Sequence, residues 1–565
     1  MNERATYDLV VIGGGINGAG IAWEAALRGM RVALLEKADF GSGASSGCFK
    51  IVHGGVRYLQ HLDLPRLLES VREQKNLRRI AGHLVQPLPF LVPCYGWGKR
   101  GVPFLAAGMT FYDLLAARRN AGLDSESYLP GYRILTAEQV RQSVPGLSSS
   151  RLTGGVVYHD ALMHHCERLT YAVARSAQEA GADIFNYCEV VDADIHEETG
   201  QKAIRSLTFH NKRTGLNEVI TGRYVVNATG QWAAGVMPSL GARDEFSRRK
   251  FFSSVGIQAI VEGMTSKYAV ALESRYVDGA SLLQRGGRSY FTVPWQGATL
   301  VGTSDRVVDV DPDNYCVERH EVDDFVAEVQ ALLPGSNISK ENVSFVFGGL
   351  RLVDEAIWQG LCRGDGFSDG NAAVARDHLV VDHAAQDKSS VTNLLSVFAV
   401  KYTTFRVLAE QVVDLLVVRE KRAGRKYGKS RSATTPLYGS VQGLTKTTAG
   451  IFPPAAINRL WRDYGSVAEN IVALAVKEPR LQATLCGTDY TAAEIIYLTR
   501  CEDVYSAADI IFRRTLAGLP RQPDTGFVEE IVALVASELG KDAAWRESER
   551  ESIAERYTCF PMKLR

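Results

Sequence analysis

Four consecutive apolar residues, Leu9 to Ile12, run into a glycine cluster and then into small and apolar residues from Ile21 to Leu27 at helical spacing. Arg31-Val-Ala-Leu-Leu-Glu36 is a second short apolar run, tipped by an acid. Continuous apolar runs of this length suit strands buried on both faces, as in parallel sheets. The pattern therefore predicts strand, glycine turn, helix and strand over residues 7 to 36. The small residues Gly41 to Gly47 predict a loop, and Leu64 to Ile80 a charged amphipathic helix. Pro87, Pro89 and Pro93 mark a break into a different region. Ala161 to Ala180 reads as a helix, Ala182 to Val190 as a strand, and Arg223 to Gly230 as a strand ending on a small-residue turn.

Residues 250 to 305 alternate short apolar runs with Gly and Pro. This suggests an antiparallel sheet, with Tyr290 to Pro294 and Thr299 to Thr303 as strands. A further buried strand, Leu394 to Val400, leads into a helix over Val407 to Val418. The polar, basic stretch Arg419 to Ser432 reads as a linker. The remainder is helical, with its strongest patterning in Ala492 to Thr515. The expected fold class is α/β: a Rossmann-type dinucleotide-binding domain with an inserted antiparallel β-sheet domain and an all-helical C-terminal domain. The boundaries read as 1–85, 150–235 and 348–420 for the discontinuous cofactor domain. Residues 86–149 and 236–347 form the substrate or cap domain, and 433–565 the helical domain.

The glycine turn carries the first chemistry. In Gly13-Gly-Gly-Ile-Asn-Gly18, Gly13 makes the tight turn, Gly15 lets backbone approach a pyrophosphate, and Gly18 allows close packing of helix on strand. The helix N-terminus offers free N–H groups to phosphate. Glu36, about 20 residues on, accepts from a ribose hydroxyl, which favours FAD or NAD over NADP. An ordinary glycine turn in an α/β protein would explain the glycines but not Glu36.

At 565 residues the chain is too long for one core, and two to four domains are expected. Lys+Arg and Asp+Glu both number 64, so nothing draws the chain as a whole to nucleic acid. Nine cysteines are scattered without a CxxC pair, which points away from a zinc site or a disulfide framework and toward a reducing compartment. No metal site and no signal peptide are expected. No run reaches the roughly 18 apolar residues of a membrane span. The nearest approach is Gly101 to Ala117, bracketed by Lys99-Arg100 and Arg118-Arg119. Two readings stand: a helix lying in a membrane interface, and, as the blander one, a buried core helix with solvated ends.

Several spaced segments together carry a stronger signal. They are Asp8 to Gly20, His53-Gly-Gly-Val-Arg-Tyr-Leu59, Asn227-Ala-Thr-Gly230, Gly302-Thr-Ser-Asp305, Gly349-Leu-Arg351, Ala375-Arg-Asp377, Lys401-Tyr-Thr-Thr404 and Asp503 to Thr515. With these segments the chain resembles the FAD-dependent glycerol-3-phosphate dehydrogenases of the D-amino-acid-oxidase-like flavoproteins, over nearly its whole length. The resemblance implies FAD as cofactor, sn-glycerol 3-phosphate as substrate, dihydroxyacetone phosphate as product and quinone as the acceptor of electrons. It also implies a cytoplasmic protein, with peripheral attachment to the inner face of the cytoplasmic membrane and a homodimer left open.

A small dianionic substrate needs fixed cations. Arg57, Arg351 and Lys401 occupy the family's cationic positions, with Tyr58 beside them as a donor. Surface salt bridges are the ordinary alternative for the two arginines. Lys401 and Arg351 are expected at the chemistry itself. His53 is the candidate base, or else a structural histidine packing the flavin loop. For FAD the expected residues are Gly13, Gly15, Gly18, Glu36, Lys37, Ser45, Ser46, Val190, Ala228, Gly230, Thr403 and Thr404. The chain departs from the family at five places. Gln258 stands where a histidine is expected, Cys48 and Phe49 replace two serines, and Ala399 and Val400 replace two glycines. These departures leave two other readings: a flavoenzyme for another small anionic hydroxy or amino substrate, and a flavin-binding protein without turnover.

Overall fold

The computed structural model describes residues 6–558 and 562–563, apart from 149, 199, 243–250, 264–265, 274–288, 305, 309–310, 337, 355–377, 387–389 and 441–449. Asp305 and Ala375 to Asp377 of the matched segments lie outside the described residues.

The first apolar run forms the strand Thr6–Ile12. It pairs in parallel with Leu216–Asn227 on one side and Val32–Leu35 on the other. Leu394–Phe398 and Asp183–Phe185 extend the parallel sheet outward, and Leu379–Asp382 adds an antiparallel edge. Side chains of the central strand alternate between two cores. Leu9 and Val11 pack with Trp23, Leu169 and Val412 from the helices Ile16–Leu27, Cys166–Glu179 and Phe405–Arg422. Val10 and Ile12 pack with Leu207 and Phe209 from an antiparallel ribbon built by Cys188–Glu198 and Gln201–Asn211. Both faces are covered, which is why the strand sequence carries no polar alternation.

A second, 10-stranded sheet holds the antiparallel region. Its long pairs are Val85–Tyr95 with Leu152–Met163, and Phe251–Val261 with Val343–Asp354. The chain crosses between the sheets at points the sequence pattern did not mark: Ile51–Val52, Leu152–Met163 and Val343–Asp354 all belong to the second sheet. A separate core of helices follows, from Pro454–Tyr464 through Thr525–Leu539 to Ala543–Thr558.

Two elements differ from the sequence pattern. The helix expected over 161–180 is Cys166–Glu179. Ala161, Leu162 and Met163 instead complete a strand against Val85, Gln86 and Pro87, because tertiary pairing outweighs the helical preference of Ala, Leu and Met. The strand expected over 182–190 is broken at Tyr187, whose φ of 59° turns the chain from the parallel sheet into the antiparallel ribbon.

The helix Val102–Leu115 corrects the buried-core reading. Only Met109 and Tyr112 are buried along it. Phe104, Phe111 and Leu114 are spaced to share one face, and that face is open: Leu114 is 70% and Phe111 44% exposed. Trp97, just before the helix, is 86% exposed, and Lys99, Arg100 and Arg118 at its ends are exposed too. Among the described residues no helix is long and apolar enough to cross a membrane.

Candidate functional site

A cavity of about 750 Å³ runs from the glycine turn of the first sheet to the edge of the second. At the glycine end, geometry leaves no room for side chains. Gly13 has φ 106°, and a Cβ there would lie 2.6 Å from the Ala228 carbonyl oxygen. At Gly18 a Cβ would fall 1.8 Å from the Gly13 carbonyl oxygen, so helix and turn are in direct backbone contact. Gly15 caps the helix N-terminus and faces the cavity. Ser45 Oγ accepts from the Ile16 N–H at 3.0 Å, which ties the loop 41–47 to that terminus.

Glu36 sits at the tip of its strand and accepts from the Gly14 N–H at 2.6 Å and the Ala38 N–H at 2.8 Å. Burial pushes its carboxyl above the usual carboxylate range, and the Ala38 and Gly14 N–H groups offset only part of that rise. Each carboxylate oxygen keeps a lone pair for one more donor from the cavity. Asn17 also lines the cavity, and its buried Oδ1 has no hydrogen-bond partner among the described residues.

The opposite end gathers cations. His53, Arg57, Arg351 and Lys401 line the same cavity, delivered by three separate segments. Gly55, at φ 78°, turns the chain so that Arg57 and Tyr58 follow His53 in a short 3₁₀ turn, Val56–His61. Lys401 Nζ lies 5.0 Å from the Tyr58 ring centroid. Arg351 donates to Ser254 Oγ at 3.3 Å on the neighbouring strand. Gly256 leaves space for that guanidinium, since a Cβ there would sit 3.2 Å from Arg351 Nη2. Burial first, then Lys401 and Arg57, lower the His53 imidazole to about 4. Gln258 donates to the Gly47 carbonyl at 2.8 Å, while its buried Oε1 has no hydrogen-bond partner among the described residues.

Most of the expected residues thus meet in one place. Gly13, Gly15, Glu36, Lys37, Ser45, Val190, Ala228, Gly230 and Thr403 line the cavity, as do the departing residues Cys48, Phe49, Ala399 and Val400. Gly18, Ser46, Tyr58 and Thr404 do not. Ser46 instead donates to the Gly43 carbonyl at 2.9 Å, and Thr404 caps the helix Phe405–Arg422. Two features escaped the sequence reading. Lys50 is buried at the cavity wall. Lys37, Trp232 and Asp313 form a cluster over the glycine end: Lys37 Nζ is 3.0 Å from Asp313 Oδ1 and 4.0 Å from the Trp232 ring, and Trp232 Nε1 donates to Asp313 at 2.9 Å. No local motif marks residues so far apart in the chain.

Comparison with known proteins decides the family. Residues 8–374 match the family described as FAD dependent oxidoreductase, and residues 430–546 match the C-terminal domain of alpha-glycerophosphate oxidase. Glycerol-3-phosphate dehydrogenase 2 of Mycobacterium bovis is 30% identical over 95% of this chain and 86% of its own length. The chain belongs to the FAD-dependent glycerol-3-phosphate dehydrogenase family. Its similarity to the glycerol-3-phosphate dehydrogenase of Synechocystis is 29% identity over 98% of this chain and 96% of that protein. Among solved structures, the glycerol-3-phosphate dehydrogenase from Bacillus halodurans complexed with FAD shares the fold at a TM-score of 0.71 and 21% identity. That match covers 99% of this chain and 95% of the other.

FAD is the cofactor of this family fold, and the residues present fit it. The glycine turn is backbone-lined, Glu36 stands where a ribose hydroxyl needs an acceptor, and Asn17 holds an acceptor with no partner among the described residues. Such an orphaned buried atom is costly unless a ligand satisfies it.

Proposed function

We propose that this protein oxidises sn-glycerol 3-phosphate to dihydroxyacetone phosphate. The observation that carries the reading is the convergence of Arg57, Arg351 and Lys401 with His53 on one end of a cavity whose other end is the glycine turn. Bound FAD supplies a two-electron acceptor for the hydride leaving the substrate carbon. The chain's own residues do the rest. Arginine guanidinium groups hold the phosphate, and Lys401 adds a point charge. Gln258 Oε1 accepts a hydrogen bond from a substrate hydroxyl. The neutral imidazole of His53, held unprotonated first by burial and then by Lys401 and Arg57, takes the hydroxyl proton, helped by the dianion, which offsets the two cations.

Anaerobic mixing of the yellow holoenzyme with glycerol 3-phosphate tests this reading. Bleaching of the flavin absorbance is expected, and Lys401→Ala is the control. A second reading, another small anionic hydroxy or amino substrate, is favoured by Phe49 and Val400, whose side chains line the cavity where smaller residues are expected. A panel of hydroxy acids and amino acids in the same assay separates the two.

The electron acceptor in this reading is a quinone, reached at a membrane surface. The exposed apolar face of Val102–Leu115, with Trp97 and its basic flanks, supports peripheral attachment to the cytoplasmic membrane's inner face. Cosedimentation with anionic vesicles and reduction of a soluble quinone analogue test those two parts.

A further inference from the structure

A pair of thiols borders the cavity and has no part in the reaction above. Cys48 lines the cavity, whereas Cys166, the first residue of the helix Cys166–Glu179, is buried behind it. Both are free cysteines, and the Cys166 thiol lies against the loop that carries Cys48: its Sγ is 3.7 Å from the Ser46 carbonyl oxygen and donates to Glu167 Oε2 at 3.2 Å. Lys50 anchors the pair. Its ammonium is buried, donates to Cys166 Sγ at 3.1 Å, and lies 3.4 Å from Glu167 Oε2. The rings of Trp295 and Phe347 flank it at 5.2 and 5.3 Å. The loop bearing Cys48 has little freedom, because a Cβ on Gly47 would fall 2.0 Å from the Gly348 carbonyl oxygen.

The two thiols are unequal. The neighbouring Cys166 thiol, against the opposing effect of burial and with help from the charge of Lys50, lowers the Cys48 thiol below its ordinary value. Burial, and then the neighbouring Cys48 sulfur, raise Cys166. The member that a small molecule in the cavity can touch is therefore the better nucleophile, and the member behind it is held protonated within reach.

We propose that Cys48 and Cys166 form a peroxide-sensitive dithiol at the wall of the cofactor cavity. The Cys48 thiolate attacks one oxygen of a peroxide. A sulfur–oxygen bond forms, the oxygen–oxygen bond breaks, and hydroxide leaves to take the Cys166 proton. Cys166 sulfur then attacks Cys48 sulfur, the sulfur–oxygen bond breaks, and the departing hydroxide takes up the proton that the Cys48 thiol released on ionising, leaving as water. Two thiols and one hydrogen peroxide become one disulfide and two waters. The disulfide fastens the loop 41–47, which carries Ser45 at the helix N-terminus, to the helix Cys166–Glu179, and it takes from Lys50 the thiol that its ammonium bonds.

The test uses FAD-loaded, fully reduced protein, treated with hydrogen peroxide and mapped by mass spectrometry. The expected product is a Cys48–Cys166 cross-linked peptide lacking two hydrogens, reversed by dithiothreitol. The exposed Cys486, whose thiol is held above its ordinary value, serves as an internal reference. Cys48 is expected to react at least roughly tenfold faster, following its thiolate character. In Cys166→Ser the reaction should halt at a sulfenic acid on Cys48, captured by dimedone. Oxidation of Cys486 before Cys48 overturns the proposal. So does a dimedone adduct on Cys48 that persists in the wild type without cross-linking. The wild-type map stands alone should the variant fail to fold.

Discussion

Arg514 Nη1 and Nη2 lie 2.6 and 2.9 Å from the two carboxylate oxygens of Asp39, although 475 residues separate the pair. Arg513 Nε reaches the same carboxylate at 2.9 Å, and Asn186 donates to it at 2.9 Å. Asp39 follows Glu36 and begins the turn into the loop 41–47, so the helical C-terminal domain grips the segment that lines the cavity's glycine end. Breaking a buried pair of this kind leaves an uncompensated charge, at a cost of about 3–5 kcal/mol. Asp39→Asn and Arg514→Gln are each expected to lower the thermal midpoint by several degrees and to loosen FAD. Differential scanning calorimetry, with flavin fluorescence followed in parallel, checks both effects.

The same carboxylate gives a pH dependence. Despite burial, which opposes ionisation, Arg514 and Arg513 hold Asp39 down to about 2. A depressed carboxyl contributes stability that is whole above its unfolded value near 4 and is lost as pH falls toward 2. Urea midpoints measured across that window should drop in the wild type and change less in Asp39→Asn.

Asp160 runs the other way. It accepts from the Gly54 N–H and from Gln74 Nε2, both at 2.7 Å, and burial pushes it up to about 7. An acid whose folded value is raised stabilises the fold fully below its unfolded value, near 4. That contribution is lost as pH climbs through 7. Asp160→Asn keeps the acceptor at Oδ1 and removes the titration. Its denaturation midpoint should therefore be nearly flat from about pH 4 to 8, where the wild type declines.

Arg351 offers a graded test of the anion site. Arg351→Lys keeps the charge and removes the fork, with an expected loss of roughly 10- to 100-fold in kcat/KM for glycerol 3-phosphate, carried mainly by KM. Gly256→Ala should shift Arg351 without touching its charge, because the new methyl would press on its Nη2. A smaller rise in KM with kcat preserved is expected from steady-state kinetics.

His53 is neutral in the free enzyme down to about pH 4. Binding of a phosphate dianion beside Lys401 and Arg57 should move its protonation upward. The acid limb of kcat is then expected at higher pH than 4, and it should vanish in His53→Asn while the substrate's own ionisation still shapes kcat/KM. Profiles of both parameters from about pH 5 to 9 decide it.

The glycine turn and its flanking strands were legible because each step, from continuous apolar run to Gly13 to Glu36, is encoded within about 30 residues. Leu64–Ile80 was legible for the same reason: its amphipathic pattern and its Asp63 cap are local. Residues 161–163 misled, since their composition favours helix while their partners, Val85 to Pro87, lie far back in the chain. The helix Val102–Leu115 misled in another way. Apolar content does not say which side of a helix is covered, and here the aromatic face is left bare. Lys50 was hidden because the partners of its buried ammonium, Cys166 and Glu167, come over a hundred residues later.

The grip of Arg514 on Asp39 has a consequence for biosynthesis. The first strand, its glycine turn and Asp39 leave the ribosome early, yet the counter-charge for Asp39 comes 475 residues later. At roughly 5–20 residues per second, that is an interval on the order of half a minute to a minute and a half. Throughout it the nascent nucleotide-binding segment carries an acid that the finished protein buries without solvent, so tight loading of the flavin belongs to the completed chain and not to its growing N-terminal half.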